Sequence, residues 1–137
     1  MNKKKSHDQT GIWLYDEFQE KLHRGFAPGI WWWLPPVIWP EDEEKYKKSI
    51  EFILKKGGRN FVLNIPWQIA FFKEQKKINL WAGPFCNIAN TLAIDSLANL
   101  GFTGVIVSPE LGRKDYLQLP EHSPLPLGIV ISGNWPL

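Results

Sequence analysis

Residues 78–110, INLWAGPFCNIANTLAIDSLANLGFTGVIVSPE, leave this chain few folds to choose from. A short apolar strand, residues 78–81, runs into a polar corner at Cys86-Asn87. Asn87 or Asn90 then caps a helix, because a short side-chain oxygen can accept an orphan N–H of the first turn. Ala89, Leu92, Ala93, Leu97 and Leu100 recur at spacings of three and four and predict its apolar stripe. Gly101 suits the left-handed residue that stops such a helix. A second strand, residues 104–108, contains Val105-Ile106-Val107, apolar without alternation, as in a parallel strand buried on both faces. Parallel neighbours need a crossover of about a dozen residues, and the helix supplies it. Ligands of parallel α/β folds sit at the C-terminal ends of the strands. Cys86, Asn87, Ser108 and Glu110 all fall at such ends.

The rest of the chain repeats the alternation. Residues 12–22 place Ile12, Tyr15, Phe18 and Leu22 at helical spacing and predict a short helix. Arg24 to Gly29 is a breaker cluster. Residues 29–34 (GIWWWL) are strand material, closed by Pro35-Pro36. A helix starts over 40–42, with acidic residues at its positive end and Tyr46, Ile50, Ile53 and Leu54 as its buried stripe. Gly57-Gly58 stops it. Strands follow at 61–65, 78–81, 104–108 and 127–132, with a helical turn at 67–73 and a short helix over 113–119. About five strands alternating with helices imply an α/β fold with a mainly parallel sheet, either open or part of a barrel. A complete (β/α)₈ barrel takes roughly 200 residues or more, whereas this chain has 137. The expected architecture is therefore a partial, half TIM-type barrel, with residues 1–10 as a disordered basic tail and 11–137 as one domain.

Composition closes off several function classes. A net charge of +2 is too small to call for a nucleic-acid or membrane partner. A single cysteine rules out an intramolecular disulfide. No apolar run is long enough to span a bilayer, and the basic start is followed by no apolar segment of a secretory signal. A cytoplasmic location is expected.

The order Leu34-Pro35-Pro36, acidic helix, Gly-Gly, strand ending at Asn64, Asn87-Ile88-Ala89-Asn90, helix, Leu100-Gly101-Phe102, Ser108-Pro109-Glu110-Leu111 resembles the collagenase-like peptidase family, peptidase family U-32. The run from Pro124-Leu125-Pro126-Leu127 to Gly133 is similar to the last barrel strands of that family. The resemblance covers residues 31–137. It implies a (β/α)₈ barrel and either peptidase (hydrolase) activity on proteins, or an accessory role in oxygen-independent hydroxylation of RNA or quinones with an iron–sulfur cluster. Two parts of the family pattern are missing here: the first half of the barrel and the cysteine-containing segment. One cysteine cannot supply a Cys₄ cluster, and no cofactor or metal is assigned.

Each candidate residue has a plain and a functional reading. Glu110 is either a solvated loop carboxylate or a general base, metal ligand or amine anchor. Ser108 is a nucleophile only if a base lies beside it, and none of the three His residues falls at a strand end. Catalytic roles are therefore assigned to Glu110 and Ser108, and substrate binding to Asn64, Asn87 and Asn90, against a plain reading of the asparagines as caps and turns. Cys86 is a small buried hydrophobe or a reactive thiol. Trp32 faces away from Trp31 and Trp33, as alternate strand residues do. The expected partners are a protein or peptide substrate, a second copy or a complementary barrel half. RNA contact through Lys3 to Lys5 or Lys76-Lys77 is the weakest alternative, and no membrane is expected. A non-catalytic binding or assembly module is the rival to the enzyme.

Overall fold

The computed structural model describes residues 9–15 and 21–133. Six strands form one wholly parallel sheet in the order β1 to β6: Gly11–Trp13, Trp31–Trp33, Asn60–Leu63, Asn79–Ala82, Gly104–Ile106 and Leu127–Gly128. Helices α1 (Glu43–Lys55), α2 (Thr91–Leu100) and α3 (Arg113–His122) occupy three of the crossovers. The expected α/β class with a parallel sheet is what forms, with six strands rather than five.

The register sorts the strand side chains cleanly. Ile12, Trp32, Phe61 and Leu80 lie side by side across four strands, as do Ala82, Val105 and Leu127 across the other pairings. With Leu14, Leu34 and Leu63, they belong to the core or pack against it, together with Tyr46, Ile50 and Ile53 of α1, Ile94 and Leu97 of α2 and Leu119 of α3. The alternate positions form the opposite face: Trp13, Trp33, Val62, Trp81 and Gly104 in one row, Gly11, Trp31, Asn60 and Asn79 in the next. Trp32 is fully buried, whereas Trp31 and Trp33 on the other face are only partly covered.

The helix ends follow local chemistry. A 3₁₀ turn at Pro40–Asp42 leads into α1, whose first turn carries Glu43 and Glu44 and whose last carries Lys55. Acidic side chains favour the N-terminal end of the helix dipole and basic ones the C-terminal end. Gly57 and Gly58 donate to the carbonyls of Leu54 and Ile53 (3.1 and 2.9 Å), closing the helix in a Schellman motif. Gly101 and Phe102 close α2 identically, donating to Ala98 and Leu97 (3.0 and 3.1 Å). Both motifs need left-handed backbone at the first residue, and Gly57 and Gly101 have φ of 94° and 104°.

Three sequence expectations are corrected. Residues 11–13 are a strand paired to β2, not the start of a helix. Leu14 is buried there and Tyr15 is half exposed, so the spacing of Ile12 and Tyr15 was fortuitous; Phe18 lies outside the described residues. Only Leu127–Gly128 of the expected strand 127–132 pairs, and Ile131 is 89% exposed. The apolar run has no further strand among the described residues to bond with. The buried stripe of α2 is Ile94 and Leu97, while Leu92 and Leu100 point outward. The tail 1–8 and residues 134–137 lie outside the described residues.

Candidate functional site

The C-terminal ends of β3, β4 and β5 carry the residues that the sequence singled out. After β4, a 3₁₀ turn Pro84–Cys86 ends at Asn87, whose φ of 52° is left-handed backbone that asparagine tolerates better than most side chains. This bend presents Asn87 to the end of β5. There the Ser108 hydroxyl donates to Asn87 Oδ1 (2.5 Å), and Ser108 Oγ accepts the backbone N–H of Glu110 (3.2 Å). Ser108 N–H donates to the Ile88 carbonyl (2.8 Å), and the Tyr116 hydroxyl of α3 donates to the Ser108 carbonyl (2.8 Å). Ser108 is 2% exposed, and its hydroxyl is engaged as both donor and acceptor. Its proton is directed at an amide oxygen, which is not a base.

Glu110 is exposed. It lines, with Pro84, Phe85, Asn87 and Pro109, a cavity of about 440 Å³. One ionisable side chain therefore faces an apolar wall, with the amide of Asn87 beside it. That combination can hold a cationic group next to an apolar body. A general-base role would need a substrate proton within hydrogen-bond reach.

Asn64 and Asn90 are placed differently. Asn90 is the N-cap of α2, and its Oδ1 accepts the Ala93 N–H (2.9 Å). Asn64 has no exposed surface. Its Nδ2 donates to the Leu34 carbonyl (2.8 Å), and its own N–H donates to Gln68 Oε1 (3.0 Å). Gln68, equally buried, returns a bond from Nε2 to the Pro35 carbonyl (2.7 Å). The two amides tie the ends of β2 and β3 together where Pro35-Pro36 interrupts ordinary pairing. Asn64 Oδ1 has no hydrogen-bond partner, and a Cβ on Gly83 would collide with it. Gln68 was not foreseen; its one signal was a polar residue among the apolar side chains of the turn 66–72.

Cys86 stands at the same corner, partly buried, with its thiol donating to the Leu63 carbonyl (3.3 Å). Burial pushes the thiol up to about 11, only partly offset by a backbone hydrogen bond at Gly83. That is the environment of an inert thiol rather than a nucleophile. Among the described residues no three His, Cys, Asp or Glu side chains gather as metal ligands do. No helix among them is long and apolar enough to cross a membrane.

A second cavity, also about 440 Å³, lies on the sheet face opposite the helices, lined by Trp13, Trp31, Trp33, Val62 and Trp81 among others. Trp13 connects the two regions: its ring lies 5.2 Å from Trp33 and 6.3 Å from Phe85 (centroid to centroid). Comparison with protein-family models, curated proteins and solved structures finds no match for the chain.

Proposed function

We propose that the chain is a peptidase-related domain of the collagenase-like (U-32) kind, built as part of a β/α barrel, whose strand-end rim binds a peptide through Glu110. The observation that carries this reading is the chain of hydrogen bonds from Asn87 to Ser108 to Glu110. Asn87 and Ser108 come from two of the separate stretches that carry the family resemblance, and they touch beside a cavity that Glu110 lines. In this reading Glu110 is the working carboxylate, and Asn87 and Ser108 are positioning residues that fix the turn on which it stands. Asn64 and Asn90 set the strand end and the helix start that the rim is built on.

The strand order supports the barrel. Parallel strands in sequential order with crossovers of one hand place every helix on one side, as in a (β/α)₈ barrel with two strands fewer. Among the described residues β1 and β6 each pair on one side only. Further strands, a complementary half or a second copy would satisfy those edges. A barrel site draws residues from several strands around its rim, so the chain alone is expected to bind peptide without cleaving it.

Calorimetric titration with a short gelatin-derived peptide bearing a free amino terminus tests the reading. The wild-type chain should bind, and Glu110→Gln should weaken binding about tenfold or more, the loss expected for a charged hydrogen bond. Equal binding by wild type and E110Q would remove Glu110 from the site. Light scattering on the same sample reports whether two copies associate.

A further inference from the structure

We propose that the face of the sheet opposite α1, α2 and α3 carries a second binding site, for a small organic cation of the quaternary ammonium class; it does not depend on the peptide reading of the rim. The site is the cavity among Trp13, Trp31, Trp33, Val62, Trp81 and Ile106. Its volume of about 440 Å³ lies within the range of small-molecule pockets, roughly 300–1,000 Å³.

The orientation of the indoles favours a cation. A Cβ built on Gly104 would fall nearest to Cε2, Cδ2 and Nε1 of Trp81, closest of all to the ring-fusion atom Cε2. The indole therefore lies face-down on β5 and also lines the cavity. Gly128 on β6 continues the bed, its Cβ position 3.3 Å from Trp81 Cζ3. Trp31 stands at 77° to Trp81 with centroids 5.8 Å apart. Its Nε1 donates to Gln9 Oε1 (2.6 Å), which fixes the ring. Trp81 and Trp31 thus line the space at a steep angle to one another, as does the tilted pair Trp13 and Trp33.

Charge complementarity selects the occupant. Among the described residues that line the cavity none is ionisable; the polar groups are the Gln9 amide, whose oxygen accepts from Trp31, and the indole N–H groups. Most of the lining is aromatic ring surface, whose negative faces attract a cation. A neutral ligand of the same shape would gain only the area term. Large-against-small packing of a barrel interior would explain the Trp81–Gly104 fit as well, but packing does not discriminate by charge.

Titration of the full chain with choline, with its uncharged isostere 3,3-dimethyl-1-butanol and with acetate, read by calorimetry and by tryptophan fluorescence, decides the matter. Saturable choline binding is expected, with the alcohol about tenfold weaker and acetate silent. W81F and W31F should weaken choline binding several-fold. W67F, which changes an exposed indole away from this cavity, should bind as wild type does. Far-UV circular dichroism confirms that each variant is folded; if W81F does not fold, W31F carries the test. Equal affinity for choline and the alcohol would overturn the proposal in favour of a merely apolar trough. The absence of saturable choline binding up to about 100 mM would overturn it outright.

Discussion

The Ser108 hydroxyl and the Asn87 side-chain oxygen lie 2.5 Å apart, joining the end of β5 to the corner after β4. The bond spans a crossover, so it holds two neighbouring strand ends in one arrangement. The same hydroxyl then receives the Glu110 N–H. A single buried oxygen thus fixes the register of the corner and the direction of the turn that bears the carboxylate.

Removing that oxygen should loosen both. Ser108→Ala is expected to lower stability by about 1 to 2 kcal/mol, since one hydrogen bond is lost and a second donor is left without an acceptor. Asn87→Ala should cost a similar amount, part of it because alanine tolerates a φ of 52° poorly. A double-mutant cycle by urea denaturation should return a coupling of about 1 kcal/mol. A coupling near zero would mean that the bond contributes nothing to the fold.

Cys86 sets a pH dependence with a definite sign. Its thiol is held up to about 11 against an ordinary value of 9.0. Above 9.0 the unfolded chain ionises while the folded chain keeps its proton, so unfolding is increasingly favoured. The stabilising contribution is fully present below pH 9.0 and is lost as pH rises toward 11. Urea midpoints measured over that range should fall less steeply for Cys86→Ala than for wild type, a difference that removes the shared titration of lysines and tyrosines. Alkylation of native Cys86 at pH 8 should be much slower than in urea; equal rates would contradict the buried thiol.

Glycine at 104 is a packing requirement. Gly104→Ala should lose about 1 to 3 kcal/mol, because the added methyl group meets the Trp81 indole. Gly133→Ala is the comparison, since the nearest atom to its Cβ position, a Val130 methyl carbon, is 3.9 Å away. It should change the melting temperature little. Similar losses in both would mean that the indole moves aside freely.

On α2, Ile94→Ala should cost about 2 to 4 kcal/mol, as buried large-to-small changes do. Leu92→Ala, at a side chain 75% exposed, should stay within about 0.5 kcal/mol. The reverse order would mean that the helix turns its other face to the sheet.

The two residues also show how far a sequence can be read. Leu92, Leu97 and Leu100 make an apolar pattern as good as the true one, and periodicity cannot rank two overlapping stripes on a short helix. The stripe of α1 was legible because Lys47, Lys48, Ser49 and Glu51 set off Tyr46, Ile50, Ile53 and Leu54, with Phe52 the one further apolar side chain among them. The caps Asn90 and Gly101 were legible because they act locally. β1 was not, since three residues become a strand only by pairing with Trp31–Trp33. At the site, Asn87, Ser108 and Glu110 were found from their place at strand ends. The burial of Asn64 and its union with Gln68 depend on a tertiary contact with the prolines after β2, which no local pattern encodes.

Every strand of the sheet bonds only to those next to it along the chain, and the widest step is from Trp31 to Asn60. Such an array can be laid down in order of synthesis. Each new strand finds its template already made, and each loop to be closed is short. The same property makes the fold extensible, because β6 offers an arriving strand the edge that β5 offered β6. Among the described residues no pairing between β1 and β6 closes the sheet.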